Sequence, residues 1–399
     1  MSESTEDGIV AGEAFDLMVA GAGPPGLALS TAAARSGLSV AIADVAPIGV
    51  APPDTEDYDL RVYAVSPGSA AFLRAIGAWQ RLSPDRIAPI EAMDVRGDRG
   101  GRLDFSAYDL GERALAWVVE ERALRNALVA AALEAGVVPF GGMPFVGLRF
   151  TTGHACLALD GTTLSARLLV AADGVNSWVR REAGIATVPK PYGQRGVVAH
   201  FACERAHHGI ARQWFRTDGS VLAWLPLPGR RVSMVWSAPD ALAQALLASG
   251  PETLAERVAE AGDGELGRFT PISAAAGFPL ASLRLATTVA HRLALVGDAA
   301  HGVHPLAGQG VNLGFGDALV LSEVLAARGP VNDPGAPLLL SRYARRRTEP
   351  VVAMHAVTDG LVRLFGTAHP WVAGLRNAGM AAVDRLPAVK RALAQPALR

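Results

Sequence analysis

The chain has 399 residues, half of them hydrophobic, with 37 Lys and Arg against 38 Asp and Glu. That length suits two domains with sizeable cores, and the near-balanced charge offers no general field for a nucleic-acid partner. Two cysteines, Cys156 and Cys203, without CxxC spacing, exclude a disulfide framework and a cysteine-built metal site and point to a reducing compartment.

The polar, acidic stretch 1–13 reads as a disordered leader and lacks the order of a signal peptide. No unbroken apolar run is long enough to span a membrane. Phe15–Ala20 reads as a short strand, and Gly21-Ala22-Gly23-Pro24-Pro25-Gly26 follows it directly. This is GxGxxG between a strand and a helix, the context that a dinucleotide site requires. Gly21 allows the tight turn, Gly23 lets a pyrophosphate approach, and Gly26 lets helix and strand pack closely. Pro24 and Pro25 suit a first helical turn. A second strand, Ser39–Ala43, ends at Asp44, near the spacing at which an acid reaches an adenosine ribose.

Pro47–Tyr58 is a Pro- and Asp-rich loop, and a helix is expected over Pro67–Ile76. Arg61, ahead of that helix, is either a pyrophosphate partner or a solvated surface arginine. Residues 86–119 alternate short apolar runs with turns at Gly97, Gly100 and Gly101. Glu120–Ala135 is an amphipathic helix with Arg122 at its start. Val137–Asp160 reads as strands joined by glycine turns. Leu168–Ala172 is a buried strand ending at Asp173-Gly174. In doubly wound sheets that strand edge binds ligands, while a helix-capping Asp-Gly turn is the plainer alternative.

Between Pro189 and Gly277 short runs rich in Val, Phe and Trp alternate with turns: Val197–Phe201, Ala211–Phe215, Val221–Leu225 and Arg231–Trp236. With a helix over Leu242–Ala261 they suggest an inserted antiparallel sheet. His207, His208 and Cys203 match no metal spacing, so no metal site is expected. Leu293–Val296 is another buried strand. Gly297-Asp298 ends it, and a loop broken by Pro305, Gly308 and Gly310 leads into a helix from Val311. A carboxylate at that strand end can accept hydrogen bonds from a hydroxyl chain, and bare N–H groups at the helix start can hold an anion. Leu338–Phe365 is helical, and its run Arg342, Arg345, Arg346, Arg347 reads as a solvated face. From Pro370 the tail carries Val372, Leu375, Met380, Val383, Leu386, Val389 and Leu393 among an excess of basic residues. A helix lying on an anionic membrane and a packed terminal helix both fit.

Three motifs agree in order: GAGPPG at 21–26, ADGVNSWVR at 172–180 and GDAAHGVHPLAGQGVNLGFGDA at 297–318. The chain resembles the single-component FAD-dependent aromatic hydroxylases (the para-hydroxybenzoate hydroxylase superfamily), and within it the ubiquinone-biosynthesis hydroxylases. RVYAVSPGSAAFLRAIGAW at 61–79, VVEERALRNAL at 118–128, QWFRTDGSVLAWLPLPGRRVSMVW at 213–236 and RNAGMAAVDRLPAVKRAL at 376–393 extend the likeness over nearly the whole chain. It departs in Asp44, where many members carry Glu, and in the proline pair of the first motif.

The resemblance implies an α/β fold: a Rossmann-type FAD-binding domain in two parts, 14–188 and 277–340, an inserted antiparallel β-sheet substrate domain at 189–276, and C-terminal helices at 341–399. By it, Gly21, Gly23 and Gly26 hold the FAD pyrophosphate and Asp44 the ribose. Arg61 and Arg122 contact the phosphates and ribityl chain. Asp173 and Gly174 serve FAD and the nicotinamide donor, and Asp298 binds the ribityl hydroxyls. Pro305, Gly308, Gln309, Gly310 and Asn312 lie beside the isoalloxazine.

The implied activity is hydroxylation of a polyprenylated phenol through a C4a-hydroperoxyflavin, with NAD(P)H or another electron donor as co-substrate. His304 is the catalytic candidate, as a polar substrate contact; His301 has an equal claim to a structural place. Phe215, Trp224 and Trp236 are wall candidates for an apolar channel, with core packing the competing role. Expected partners are the small aromatic substrate, membrane-borne or free, other quinone-pathway proteins, and the membrane surface through the tail, with a cytoplasmic or peripheral inner-membrane location. The absence of a lysine before Lys190 and of a WxWxIP-like motif opposes a flavin halogenase. A flavin-dependent hydroxylase of another aromatic metabolite, a prenyl reductase and a non-catalytic FAD-binding protein stay open.

Overall fold

The computed structural model describes residues 14–50, 58–185, 187, 189–329, 332–367 and 369–398. The expected leader and residues 51–57 of the Pro- and Asp-rich loop lie outside them. Two sheets organise the fold. In the first, the strand order is Val289–Ala290, Leu293–Leu295, Thr162–Ala171, Phe15–Ala20, Val40–Asp44, Val138–Gly141. The pairings among the last five are parallel. Phe15–Ala20 has a parallel neighbour on each side, and Leu17, Met18, Val19 and Ala20 have no exposed surface. Burial on both faces is why this strand reads as an unbroken apolar run. Helices Pro24–Arg35, Glu121–Glu134 and Gly310–Ala326 cover one face. On the other face, Ala155–Leu159 pairs along the outer half of Thr162–Ala171, and Phe145–Phe150 pairs with Ala155–Leu159. Because the strands are parallel, Gly21, Asp44, Asp173 and Gly297 all emerge at one edge.

The second sheet runs Phe269–Pro271, Lys190–Cys203, Arg231–Pro239, Val221–Leu227, Ile210–Phe215, Ala92–Arg96, Arg102–Ser106, with Ala276–Ser282 paired along Lys190–Cys203. It is therefore wider than the 189–276 segment: Ala92–Arg96 joins Ile210–Phe215 in parallel. A parallel partner needs no adjacency in sequence, so the local pattern at 86–119 carries no sign of it. The helix expected over 242–261 is two, Asp240–Leu247 and Pro251–Ala261, broken before Pro251. Both pack against the back of the sheet with Trp214, Trp224 and Trp236. A three-stranded sheet, Val62–Val65, Ala116–Glu120, Ala88–Ile90, joins the two large ones through contacts of Ala64 and Val118 with Ala211 and Leu227.

Three helices end the chain: Pro337–Gly366, Pro370–Asp384 and Pro387–Leu398. Arg346 is solvated, but Arg347 is buried, so the arginine run is not one solvated face. A stripe read along one helix does not reveal a neighbouring acid. The tail is docked: Asn377 Oδ1 accepts the Gly101 N–H at 2.8 Å, and Arg376 pairs with Asp98, both buried. Among the described residues no helix is long and apolar enough to cross a membrane.

Candidate functional site

The glycines of the first motif have separate physical causes. Gly21 sits at φ +110°, and a Cβ there would overlap the Ala172 carbonyl; one on Gly26 would overlap the Gly21 carbonyl. A Cβ on Gly314, from the third motif, would lie 2.7 Å from Pro25 Cγ. The three motifs are thus glycine-rich partly because they pack on one another. Gly23 differs: nothing lies within 4 Å of the position its Cβ would take. It stands at the N-terminus of Pro24–Arg35, which has no side-chain cap. Open space before an uncapped helix end is where an anionic pyrophosphate can settle. Asp44, at the end of its strand, accepts the Ala22 N–H at 2.6 Å and the Ala46 N–H at 2.8 Å.

Arg61 and Arg122 are brought together by Asp59, whose carboxylate accepts the backbone N–H of Arg61 at 3.2 Å and of Arg122 at 2.9 Å. The Arg61 guanidinium is exposed, 3.4 Å from Glu121, and near enough to Asp298 to act on its charge. Asp59 is anchored from two sides. The buried Glu120 carboxylate accepts its N–H at 2.7 Å and pairs with Arg86 at 2.7 Å. His200, from the second sheet, donates to the Asp59 carbonyl at 2.9 Å. Asp59, Arg86 and His200 belong to none of the quoted stretches; only Glu120, in VVEERALRNAL, and the closeness of Asp59 to Arg61 hinted at this group.

Asp173 uses one carboxylate oxygen to accept the Val179 N–H at 3.0 Å, which is the helix-capping role; its other oxygen is buried with no partner. Gly174 follows at φ +82°. Arg180 joins this motif to the third by donating to the Ala299 carbonyl at 2.8 Å. Asp298 occupies the turn Gly297–Ala299. It is accessible from the cleft yet walled in by protein. That desolvation raises its carboxyl above the ordinary range, against the lowering charges of His301 and Arg61.

Behind Asp298 lies a hub that the sequence did not reveal. Asp317, with 1% exposure, accepts the Gly297 N–H at 2.8 Å, His301 Nε2–H at 2.6 Å and Arg347 Nε–H at 2.6 Å. Burial alone would raise its carboxyl; these partners outweigh burial and hold it below the ordinary range. His301 is therefore structural. Asn312 is also committed, donating to the Ala64 carbonyl at 2.8 Å and accepting the Ser66 N–H at 2.9 Å. It fixes the loop Leu306–Gly308 beneath Ala64. Pro305 and Gln309 are half-buried on that loop. Gly310 opens the helix Gly310–Ala326, which has no side-chain cap.

His304 is placed differently from a substrate contact on an open wall. It has no exposed surface, and its Nε2–H donates to Gln194 Oε1 at 3.0 Å. Its ring meets Tyr192 edge-on, with centroids 4.8 Å apart. Burial pushes its pKa down to about 4, so it is neutral near pH 7. It ties the loop to the second sheet.

The register of that sheet shows what faces the loop. Val95, Gln213, Ala223, Val235 and Val198 form one row across five strands, and the alternation puts Phe215 and Leu225 on the same side. Val198, Ala223, Leu225 and Val235 are only half-buried there, whereas Leu222, Trp224, Met234 and Trp236 on the back are buried. The sheet therefore turns a half-buried apolar face towards the loop, the wall that a substrate chamber would have. Phe215 is on that face, packed with Leu306. Trp224 and Trp236 are not: their place in the alternation puts them in the helix-covered core.

The residues fit FAD: open space at Gly23, an accessible carboxylate at Asp298, an unpartnered oxygen on Asp173 and uncapped helix N-termini at the two loops. The comparisons agree. The family model described as FAD binding domain matches residues 14–358. The ubiquinone hydroxylase UbiL of Rhodospirillum rubrum is 37% identical over 94% of this chain and 87% of its own. The 3-demethoxyubiquinol 3-hydroxylase of Escherichia coli is 31% identical over 94% and 96%. Among solved structures, p-nitrophenol 4-monooxygenase PnpA of Pseudomonas putida superposes with a TM-score of 0.78 at 18% identity, over 96% of this chain and 98% of its own, which speaks for the fold. The chain belongs to the FAD-binding-domain family and is an FAD-dependent monooxygenase of the aromatic-hydroxylase type, in the group that holds the ubiquinone hydroxylases.

Proposed function

We propose that the chain hydroxylates the ring of a polyprenylated phenol in ubiquinone biosynthesis, with NAD(P)H as electron donor. The observation that carries the choice of substrate is the half-buried apolar row opposite the loop Leu306–Gly308; the printed activities of the relatives support it. When bound, FAD supplies the activation of O2 and the oxygen transfer. The chain supplies the rest. Gly23 and the helix behind it would hold the pyrophosphate, Asp44 the ribose, Arg61 and Arg122 the phosphates and ribityl chain, and Asp298 the ribityl hydroxyls. Pro305, Gly308, Gln309 and Gly310 would lie along the ring, with N–H groups at the helix start facing its negative edge. Asp173 and Gly174 border the groove where the nicotinamide donor would enter. Phe215, Leu225 and Leu306 exclude water from the reacting carbon. His304, Asn312 and Asp317 act through the loop they hold.

We also propose a peripheral membrane contact. Trp371, Leu375 and Leu393 are exposed on the two terminal helices and Leu386 between them, beside Arg385 and Arg391, which suits an anionic surface carrying a greasy substrate. The decisive experiment incubates purified protein with FAD, NAD(P)H, O2 and short-chain prenylphenols. A product heavier by one oxygen is expected, and no such product from any of them overturns the substrate. Asp298→Ala should recover markedly less FAD on purification.

A further inference from the structure

We infer that Gln213 is the polar anchor of the substrate ring, a specificity-determining residue that hydrogen-bonds a ring oxygen inside an otherwise apolar chamber. This rests on the proposed hydroxylation of a phenol. The argument starts from the strand Ile210–Phe215. Alternation puts Ala211, Gln213 and Phe215 on one side of the sheet and Arg212 and Trp214 on the other. Ala211 packs into the cluster that contains Ala64, which overlies Gly308. Phe215 packs into the cluster that contains Leu306. Gln213, between them, is therefore directed at the loop Leu306–Gly308.

Its neighbours in the row, Val95, Ala223, Val235 and Val198, offer no polar atom. Of the other polar side chains on this face, Gln194 is committed to His304 and His200 to Asp59. Ser233 lies in the His200 row and Ser237 in the Gly196 row, on either side of the Gln213 row. Gln213 is 5% exposed, and its amide makes no hydrogen bond among the described residues; the Ser233 hydroxyl also lacks a partner but is closed off from the surface. The amide atoms keep some accessible surface and so can be reached from the space before the loop, where a primary amide offers two donors and an acceptor to a ligand. A phenol oxygen or an ortho ring oxygen is a ligand that can meet them here, since it can both donate and accept while its ring lies against Ala223 and Val235. The contact places the oxygenated side of the ring under the sheet. A site that hydrogen-bonds a ring oxygen also rejects rings without one, because its own amide is then left unpaired.

The test uses the FAD-loaded full chain and two probes, 2-prenylphenol and prenylbenzene, with binding read from the perturbation of the flavin absorbance. Gln213→Met keeps length and volume but removes the amide. It is expected to weaken 2-prenylphenol roughly tenfold, leave prenylbenzene unchanged, and keep FAD content and melting temperature at the wild-type level. Gln213→Glu, which keeps an acceptor for the phenol O–H, should recover part of the loss. Equal weakening of both probes assigns Gln213 a packing role and overturns the proposal, as does unchanged binding of 2-prenylphenol. If Gln213→Met does not fold, Gln213→Glu decides by the same ratio of probes. Binding is measured without turnover. Failure of the wild type to add oxygen to any phenol therefore counts against the proposed reaction, while the probe ratio still judges Gln213.

Discussion

Asp317 shows how one buried charge organises the flavin side of the molecule. It holds the backbone of Gly297, the ring of His301 and the guanidinium of Arg347 at once. Removing one partner of such a group leaves the others buried without compensation, a loss of about 3–5 kcal/mol. Asp317→Asn should lower stability by that order in urea unfolding at neutral pH. The sign of the pH dependence follows from the depressed folded-state pKa. The stabilisation is fully present above the ordinary carboxylate value of 3.8 and is lost as pH falls through the lower folded value. The gap between wild type and Asp317→Asn should therefore be constant at neutral pH and close in acid. Asp298, beside the Gly297 that Asp317 holds, is shifted the opposite way because surrounding protein desolvates it and the charges of His301 and Arg61 do not make up for that. None of this is legible in the string GDAAH…GFGD, where Asp298 and Asp317 look alike. What separates them is the set of donors that reaches Asp317: His301 first, then Arg347 from another helix and the Gly297 N–H.

Among elements, the strand–loop–helix that starts the chain is the most legible. Its glycines answer local demands on φ and close approach, which sequence patterns encode directly. The structure divides their roles, and substitution should do the same. Gly23→Ala puts a methyl group into open space at φ −74°, a conformation alanine accepts. It should leave the apoprotein as stable as wild type, within about 1 kcal/mol, while FAD retention falls. Gly26→Ala forces a Cβ into the Gly21 carbonyl. Overpacking there should destabilise the fold itself by roughly 1–3 kcal/mol. Equal melting temperatures for the two apoproteins would contradict this division. The strand Ala92–Arg96 illustrates the opposite case. It is short, a single residue separates it from the strand Ala88–Ile90 of another sheet, and its pairing with Ile210–Phe215 depends on the whole sheet.

At the scale of the molecule, the tail resolves two readings into two faces. Its inner face is committed: Arg376, Asn377 and Asp384 bind the hairpin of Ala92–Arg96 and Arg102–Ser106 and the turn between them. The outer face leaves Trp371 84% and Leu375 77% exposed. Truncation before Pro370 would leave Asp98 buried without Arg376, so it cannot isolate membrane binding. Trp371→Ser with Leu375→Ser should leave melting unchanged, since surface substitutions move stability by roughly 0.5 kcal/mol or less. The same pair should reduce co-sedimentation with anionic liposomes. Undiminished co-sedimentation would remove the tail from the membrane. The hairpin that receives the tail also supplies Val95 to the apolar face, so tail docking and the shape of that face share one element.

By itself the sequence determined the fold class, the cofactor and the three motifs that meet at one sheet edge. Those features rest on short-range rules: apolar runs of strand length, glycines where backbone or ligand comes close, and acids at strand ends. Only the tertiary structure decided which residues are spent on the protein and which face the ligand. His301, His304 and Asn312 stand in the flavin loop and bind protein. Trp224 and Trp236 share strands with residues of the apolar face and point the other way. Gln213, which makes no hydrogen bond among the described residues, lies in the half-buried row of its sheet. The reason is physical: a hydrogen bond between distant segments leaves no mark on either one, and the side of a sheet that a residue occupies is settled by what the sheet packs against.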